Sequence, residues 1–131
     1  MIYLLDTDTC IDVLRQKPGM VNRLSQITPA DCAVSMVTVY ELFCGVGKAQ
    51  NPDKERAKVE RFVSALTLLP LDRSAAENSA RIRTDLEKRG VPIGPYDLLI
   101  AGQALASGLT LVTSNVKEFQ RVAGLKLDSW P

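Results

Sequence analysis

Ile2-Tyr3-Leu4-Leu5-Asp6-Thr7-Asp8-Thr9-Cys10 opens the chain and decides its fold class. Four apolar residues in an unbroken run read as a strand buried on both faces, the pattern of a parallel sheet. An acid follows at once. Ile11 and Leu14 then fall at helical spacing over residues 7–16, until Pro18-Gly19 breaks the pattern. The same alternation continues outward. A helix over residues 20–27 stops at Thr28-Pro29, and Cys32-Ala33-Val34 reads as a second strand running into a helix from Ser35 to Gly45 or Gly47. Asn51-Pro52 starts a helix with early acids Asp53 and Glu55 and an apolar stripe of Val59, Phe62, Val63 and Leu66. Leu68 to Leu71 is an edge strand by virtue of Pro70. Asp72 caps a helix that ends before Gly90, and Pro95 starts one that is apolar nearly all round and ends at Gly108. Leu109–Thr113, a helical turn over residues 116–121 and a last strand at Leu125–Leu127 complete the chain. Strands alternating with helices predict a three-layer α/β/α sandwich with a short parallel sheet. With no repeat or linker, residues 1–131 read as a single domain.

Composition narrows the chemistry. The net charge of +1 announces no nucleic-acid binder, so any such contact rests on local basic residues. Three cysteines in non-motif spacing fit a reducing cytosol, and no run reaches the ~18 apolar residues of a membrane span. With no leader pattern at the N-terminus, a cytoplasmic protein is expected. Histidine is absent altogether. That excludes histidine acid–base catalysis, Ser-His and Cys-His nucleophiles and imidazole-bound zinc. Carboxylates, lysine, tyrosine or a metal remain.

The acids are placed suggestively. Asp6 follows the first strand, Glu41 and Asp97 lie in helices that follow extended segments, and Asn115 and Glu118 follow the fourth strand. In open parallel sheets all of these face one edge, at the carboxyl ends of the strands. Each acid taken alone also has a plainer reading as a helix cap or a first-turn acid. Together they would repel by roughly 4 kcal/mol per close pair at an effective dielectric near 20. Protons or a divalent cation must then neutralise them, and oxygen-only ligands select Mg²⁺ or Mn²⁺. Such ions suit phosphodiester hydrolysis.

Four blocks in order, Leu4–Cys10, Ser35–Leu42, Gly94–Gly102 and Val112–Phe119 running on to Trp130, resemble the PIN-domain ribonucleases. Within them the chain is similar to the VapC-type toxins of bacterial toxin–antitoxin pairs. The resemblance implies a PIN-like fold and a metal-dependent endoribonuclease, with water activated at a carboxylate-held Mg²⁺ (or Mn²⁺). It implies that Asp6 and Asp97 hold the metal, and that Glu41 and an acid near the fourth strand complete the cluster. Many relatives carry Asp where this chain has Asn115, so Glu118 is expected to supply that charge. Asp8 stands where Asn is frequent, and Gln103 where His is common. Thr7, Lys117 and Arg121 are the expected substrate-binding residues, Thr7 for a phosphate or water and the two cations for phosphate. The family cuts structured RNA, commonly a transfer RNA anticodon loop or a ribosomal RNA loop, leaving a 5′-phosphate. Its partners are a VapB-like antitoxin and a second copy of the chain.

Three other readings compete with this one. Asp6-Thr7-Asp8 resembles the paired aspartates of haloacid-dehalogenase phosphatases, but Cys10 occupies their Thr or Val position and no late acidic pair exists. A receiver-like phosphoacceptor needs a lysine after a late strand, and Lys117 is displaced from it. A non-catalytic PIN-like module that binds RNA or protein stays open because of Asn115.

Overall fold

The computed structural model describes residues 1–130. Among these, five strands form one sheet: β1 (Tyr3–Leu5), β2 (Cys32–Ser35), β3 (Thr67–Leu69), β4 (Thr110–Val112) and β5 (Leu127–Asp128). Their order is β3-β2-β1-β4-β5, and every pairing is parallel. Seven helices are described: α1 (Thr7–Leu14), α2 (Pro18–Ser25), α3 (Met36–Gly47), α4 (Pro52–Ser64), α5 (Arg73–Lys88), α6 (Pro95–Ser107) and α7 (Val116–Phe119).

Register sorts the core into two halves. Leu4 lies level with Ala33 and Leu111, and Leu5 with Val34 and Val112. Successive side chains point to opposite faces. Leu4, Ala33 and Leu111 pack with Ile82 and Leu86 of α5, Ile100 and Ala104 of α6 and Phe119 of α7. Leu5, Val34 and Val112 pack with Cys10 of α1, Met20 of α2, Leu42 of α3 and Val59 of α4. The expected three layers are present, and the apolar strands are continuous because both faces are covered.

Several boundaries move for local reasons. The second helix begins at Pro18, before the expected residue 20, because proline's missing N–H is harmless in a first turn. The first helix stops at Leu14, and Gln16 turns the chain at φ 57. β3 lies at the sheet edge as expected and ends at Leu69, one residue before the proline. The last strand is Leu127–Asp128 instead of 125–127. Gly124 turns the chain at φ 79, and the Leu125 N–H is engaged by the Val122 carbonyl at 3.4 Å.

The strand order reverses about β1. The chain runs outward through β2 and β3, then returns to the other side with β4 and β5. The carboxyl ends of β1 and β4 therefore flank a switch-point crevice. Two bonds join those ends: the Asp6 N–H donates to the Val112 carbonyl at 3.0 Å, and the Thr9 hydroxyl donates to the same carbonyl at 3.1 Å. The first turn of α6 reaches the crevice, where Asp97 feels Asp6, and the helix lies tight on α5. A Cβ on Gly102 would stand 2.8 Å from both the Ala75 carbonyl oxygen and the Ser79 nitrogen.

Candidate active site

Asp6 is only 3% exposed. It caps α1, its carboxylate accepting the Thr9 N–H at 2.8 Å. Burial raises its pKa, while the Thr113 hydroxyl and the Thr9 groups pull it back down. The cap reading and the cluster reading both hold for this residue, since a cap uses one oxygen and leaves the other.

Asp97 lies in the first turn of α6. A helix N-terminus favours a negative charge there by about 0.3–1 kcal/mol. That preference is overridden. Burial first, then the charge and hydrogen bond of Glu118, then the charges of Asp6 and Glu41, push the Asp97 carboxyl up to about 7. Glu118 is itself anchored, accepting the Gly94 N–H at 3.3 Å and the Asn115 side-chain amide. Asn115 donates its backbone N–H to the Thr113 hydroxyl at 2.9 Å. Asn115 thus carries no charge to the site but orients the residue that does.

Glu41 arrives from the second turn of α3. Its Oε1 accepts the Thr7 hydroxyl at 2.7 Å, and Thr7 Oγ1 lies 3.0 Å from Thr38 Oγ1. Asp6, Glu41, Asp97 and Glu118 are thus close enough for three of them to perturb the fourth. Among the described residues none of the four has a lysine or arginine at ion-pair distance. Four acids without a cation form a donor set of oxygen alone, suited to a hard divalent ion. No three acidic or cysteine side chains among the described residues are grouped to hold an ion by themselves. An ion of the Mg²⁺ type keeps several waters and needs only one or two carboxylates, so the donor set fits it.

The expected substrate contacts divide. Thr7 spends its hydroxyl on Glu41. The Arg121 guanidinium donates to the Pro92 carbonyl at 3.1 Å, and the Arg121 carbonyl accepts from Arg89 at 2.6 Å, so this side chain braces α7 against the loop before α6. Lys117 is exposed beside Glu118 with no acidic partner among the described residues. Asp8 is exposed and adds to the field that raises Asp6. Gln103 is buried away from the acids, its amide donating to the Leu69 and Pro70 carbonyls at 3.1 and 3.2 Å. Sequence reasoning passed over Thr113 and Thr38. The available signal was a hydroxyl at the end of an apolar strand and another flanked by Val37 and Val39, where a polar group needs a partner.

The sequence profile of the PIN domain matches residues 3–125. The tRNA(fMet)-specific endonuclease VapC of Shigella flexneri is 39% identical over 128 residues, covering 98% of this chain and 97% of that one. The chain belongs to the VapC ribonucleases of the PIN-domain family. DNA-bound VapBC from Salmonella typhimurium has a chain that superposes with a TM-score of 0.95 at 37% identity, covering 100% of this chain and 99% of that one. VapBC2 of Rickettsia felis, bound to a DNA fragment from its promoter, gives 0.93 at 34% identity, with both chains covered in full at 100%. This VapC-type chain is thus an enzyme, a ribonuclease of the toxin class. PIN nucleases generally depend on a divalent metal. No helix among the described residues is long and apolar enough to cross a membrane.

Proposed function

We propose that residues 1–131, as one domain, hydrolyse a phosphodiester of structured transfer RNA in a site made of Asp6, Glu41, Asp97, Asn115 and Glu118. The carrying observation is the uncompensated carboxylate cluster, in which Asp97 is pushed up to about 7 by burial and by its acidic neighbours. Asp6 and Asp97 would hold Mg²⁺ (or Mn²⁺), which when bound neutralises phosphate charge and acidifies a water. The chain's own residues do the rest. Glu41, fixed through Oε1 by Thr7, takes the proton of the attacking water on its second oxygen. Asn115 keeps Glu118 turned toward Asp97, and Lys117 meets a flanking phosphate. Transfer RNA is supported by the name of the 39% identical Shigella flexneri relative, and an open acidic site suits unstacked loop nucleotides.

The setting is the cytoplasm, with two protein partners. Met36 and Tyr40 form an exposed stripe on α3, continued by Tyr96, whose ring meets Tyr40 edge-on at 5.6 Å. A second copy is the occupant that hides this stripe. Tyr40→Glu is therefore expected to run as a monomer in light scattering where the wild type runs as a dimer. Identical masses for the two would remove this face from the assembly. The VapB-like antitoxin fits a groove of about 360 Å³ lined by Ile11, Leu14, Leu42 and Val59 and rimmed by Arg15 and Glu41. An amphipathic segment laid there ends at the acids, where an arginine replaces the cation.

The deciding experiment incubates purified protein with total bacterial RNA in Mg²⁺, in Mn²⁺ and in EDTA, and maps the new 5′ ends. Discrete cuts in one transfer RNA that vanish with EDTA are expected. Cuts that persist in EDTA would overturn the metal reading. RNA binding without any cut would replace the enzyme with a binding module.

A further inference from the structure

We propose that Thr38, buried beneath the acids, is a positioning residue that acts through Thr7 on Glu41. The inference rests on the ribonuclease reading above and follows from counting protons. Thr38 is 0% exposed, and its Oγ1 lies 3.0 Å from Thr7 Oγ1. Thr7 Oγ1 lies 2.7 Å from Glu41 Oε1. An ionised carboxylate only accepts, and each hydroxyl has one proton to give. Thr7 spends its proton on Glu41, so the bond between the two threonines has to be donated by Thr38. The relay runs one way, from Thr38 to Thr7 to Glu41.

This direction gives Thr38 a task beyond packing. A helix threonine commonly turns its hydroxyl back on a carbonyl of the preceding turn, as Thr84 does on Arg81 at 3.1 Å. Thr38 instead reaches across to α1, and among the described residues Thr7 is its hydroxyl's partner. A Thr7 hydroxyl that already accepts from below has its own proton aimed at Glu41, and fixed outer groups of this kind orient metal-site carboxylates. The relay also spans two helices that no strand pairing joins: Thr7 opens α1, and Thr38 and Glu41 lie one turn apart on α3. Glu41 is thereby held toward α1 through one oxygen. The other is left to accept from a water of the ion that Asp6 and Asp97 would hold, so its aim bears on ion affinity as well as on cleavage.

A double-mutant cycle tests this. Mn²⁺ affinity by isothermal titration, single-turnover RNA cleavage and the thermal midpoint are measured for wild type, Thr38→Val, Thr38→Ser, Thr7→Val and the Thr7→Val/Thr38→Val pair. Thr38→Val is expected to weaken Mn²⁺ binding and slow cleavage by about 10-fold, the scale of lost outer contacts at metal sites. Thr38→Ser restores both, and in the Thr7→Val background Thr38→Val adds nothing. Thr38→Ala carries the same expectation where valine is not accommodated. Wild-type Mn²⁺ affinity in Thr38→Val and Thr38→Ala, or equal losses in both backgrounds, would overturn the relay and leave Thr38 a packing residue. A wild type that binds Mn²⁺ but cuts no RNA would sink the ribonuclease reading, while the Mn²⁺ cycle would still decide the relay.

Discussion

Asp97→Asn is expected to cut RNA about 1,000-fold more slowly than wild type, the scale of losing a group that stabilises transition-state charge. The same variant is expected to melt at a higher temperature in EDTA at neutral and alkaline pH. The folded protein pushes this carboxyl from 3.8 to about 7, through burial and then through Glu118, Asp6 and Glu41. Well below pH 3.8 both folded and unfolded states keep the proton, and the acid costs nothing. As pH rises toward about 7 the unfolded chain releases it while the folded chain holds it, so folding stability falls. Above that value both states are ionised and the full cost remains. Asparagine stays neutral and can still donate to Glu118, as the protonated acid does. The gap between mutant and wild type should open across the range from 3.8 to about 7 and level off above it, at about 2 kcal/mol after solvent screening. Added Mg²⁺ or Mn²⁺ should narrow the gap, because only the wild type binds the ion well in its folded state. Calorimetric scans across pH check each point, and a wild type that melts above the mutant in EDTA at alkaline pH would contradict the raised carboxyl.

Gly102→Ala is expected to lower the stability of the fold by about 2 kcal/mol and the melting temperature by about 8 °C. Helix propensity alone predicts the reverse, since alanine in mid-helix is worth about 1 kcal/mol over glycine. Geometry wins here. The new Cβ would collide with Ser79 Oγ, which a rotation can relieve. It would also meet the Ala75 carbonyl oxygen and the Ser79 nitrogen at 2.8 Å, and those are backbone atoms of α5 that rotation cannot move. The two helices have to part, and α6 carries Asp97 with it. Adding Ser79→Ala should recover only the side-chain share of the loss. Thermal melts of the single and double variants measure both, and an unchanged midpoint for Gly102→Ala would show that α5 and α6 can separate freely.

Much of this architecture was legible in the chain. Strand runs such as Ile2–Leu5 declared a doubly covered sheet, Pro70 declared an edge, and Pro95 and Gly108 bracketed α6. Asp6, Glu41, Asp97 and Glu118 were legible as a group because an acid after each apolar run is costly without company. What stayed hidden depends on side-chain direction and on distant partners. Thr7 looked like a phosphate contact, yet its hydroxyl is claimed by Glu41, 34 positions away. Arg121 looked like a free cation, yet the Pro92 carbonyl, 29 positions away, engages it. Asn115 looked like a missing charge, and only the turn of α7 shows its amide serving Glu118. Strand order was hidden too, because alternation predicts parallel neighbours but not which side of β1 receives β4.

That strand order has a consequence for the cell that makes the protein. β1 is synthesised first but lies between β2 and β4, so its second neighbour emerges only with residues 110–112. The acids span residues 6 to 118, and Asp97, which feels both Asp6 and Glu118, gains the second only once residue 118 has been made. At about 5–20 residues per second, synthesis takes on the order of ten seconds. Throughout that interval the ribosome carries a nascent chain that has its first acid but not its last, so the carboxylate cluster stays incomplete until residue 118 has been made.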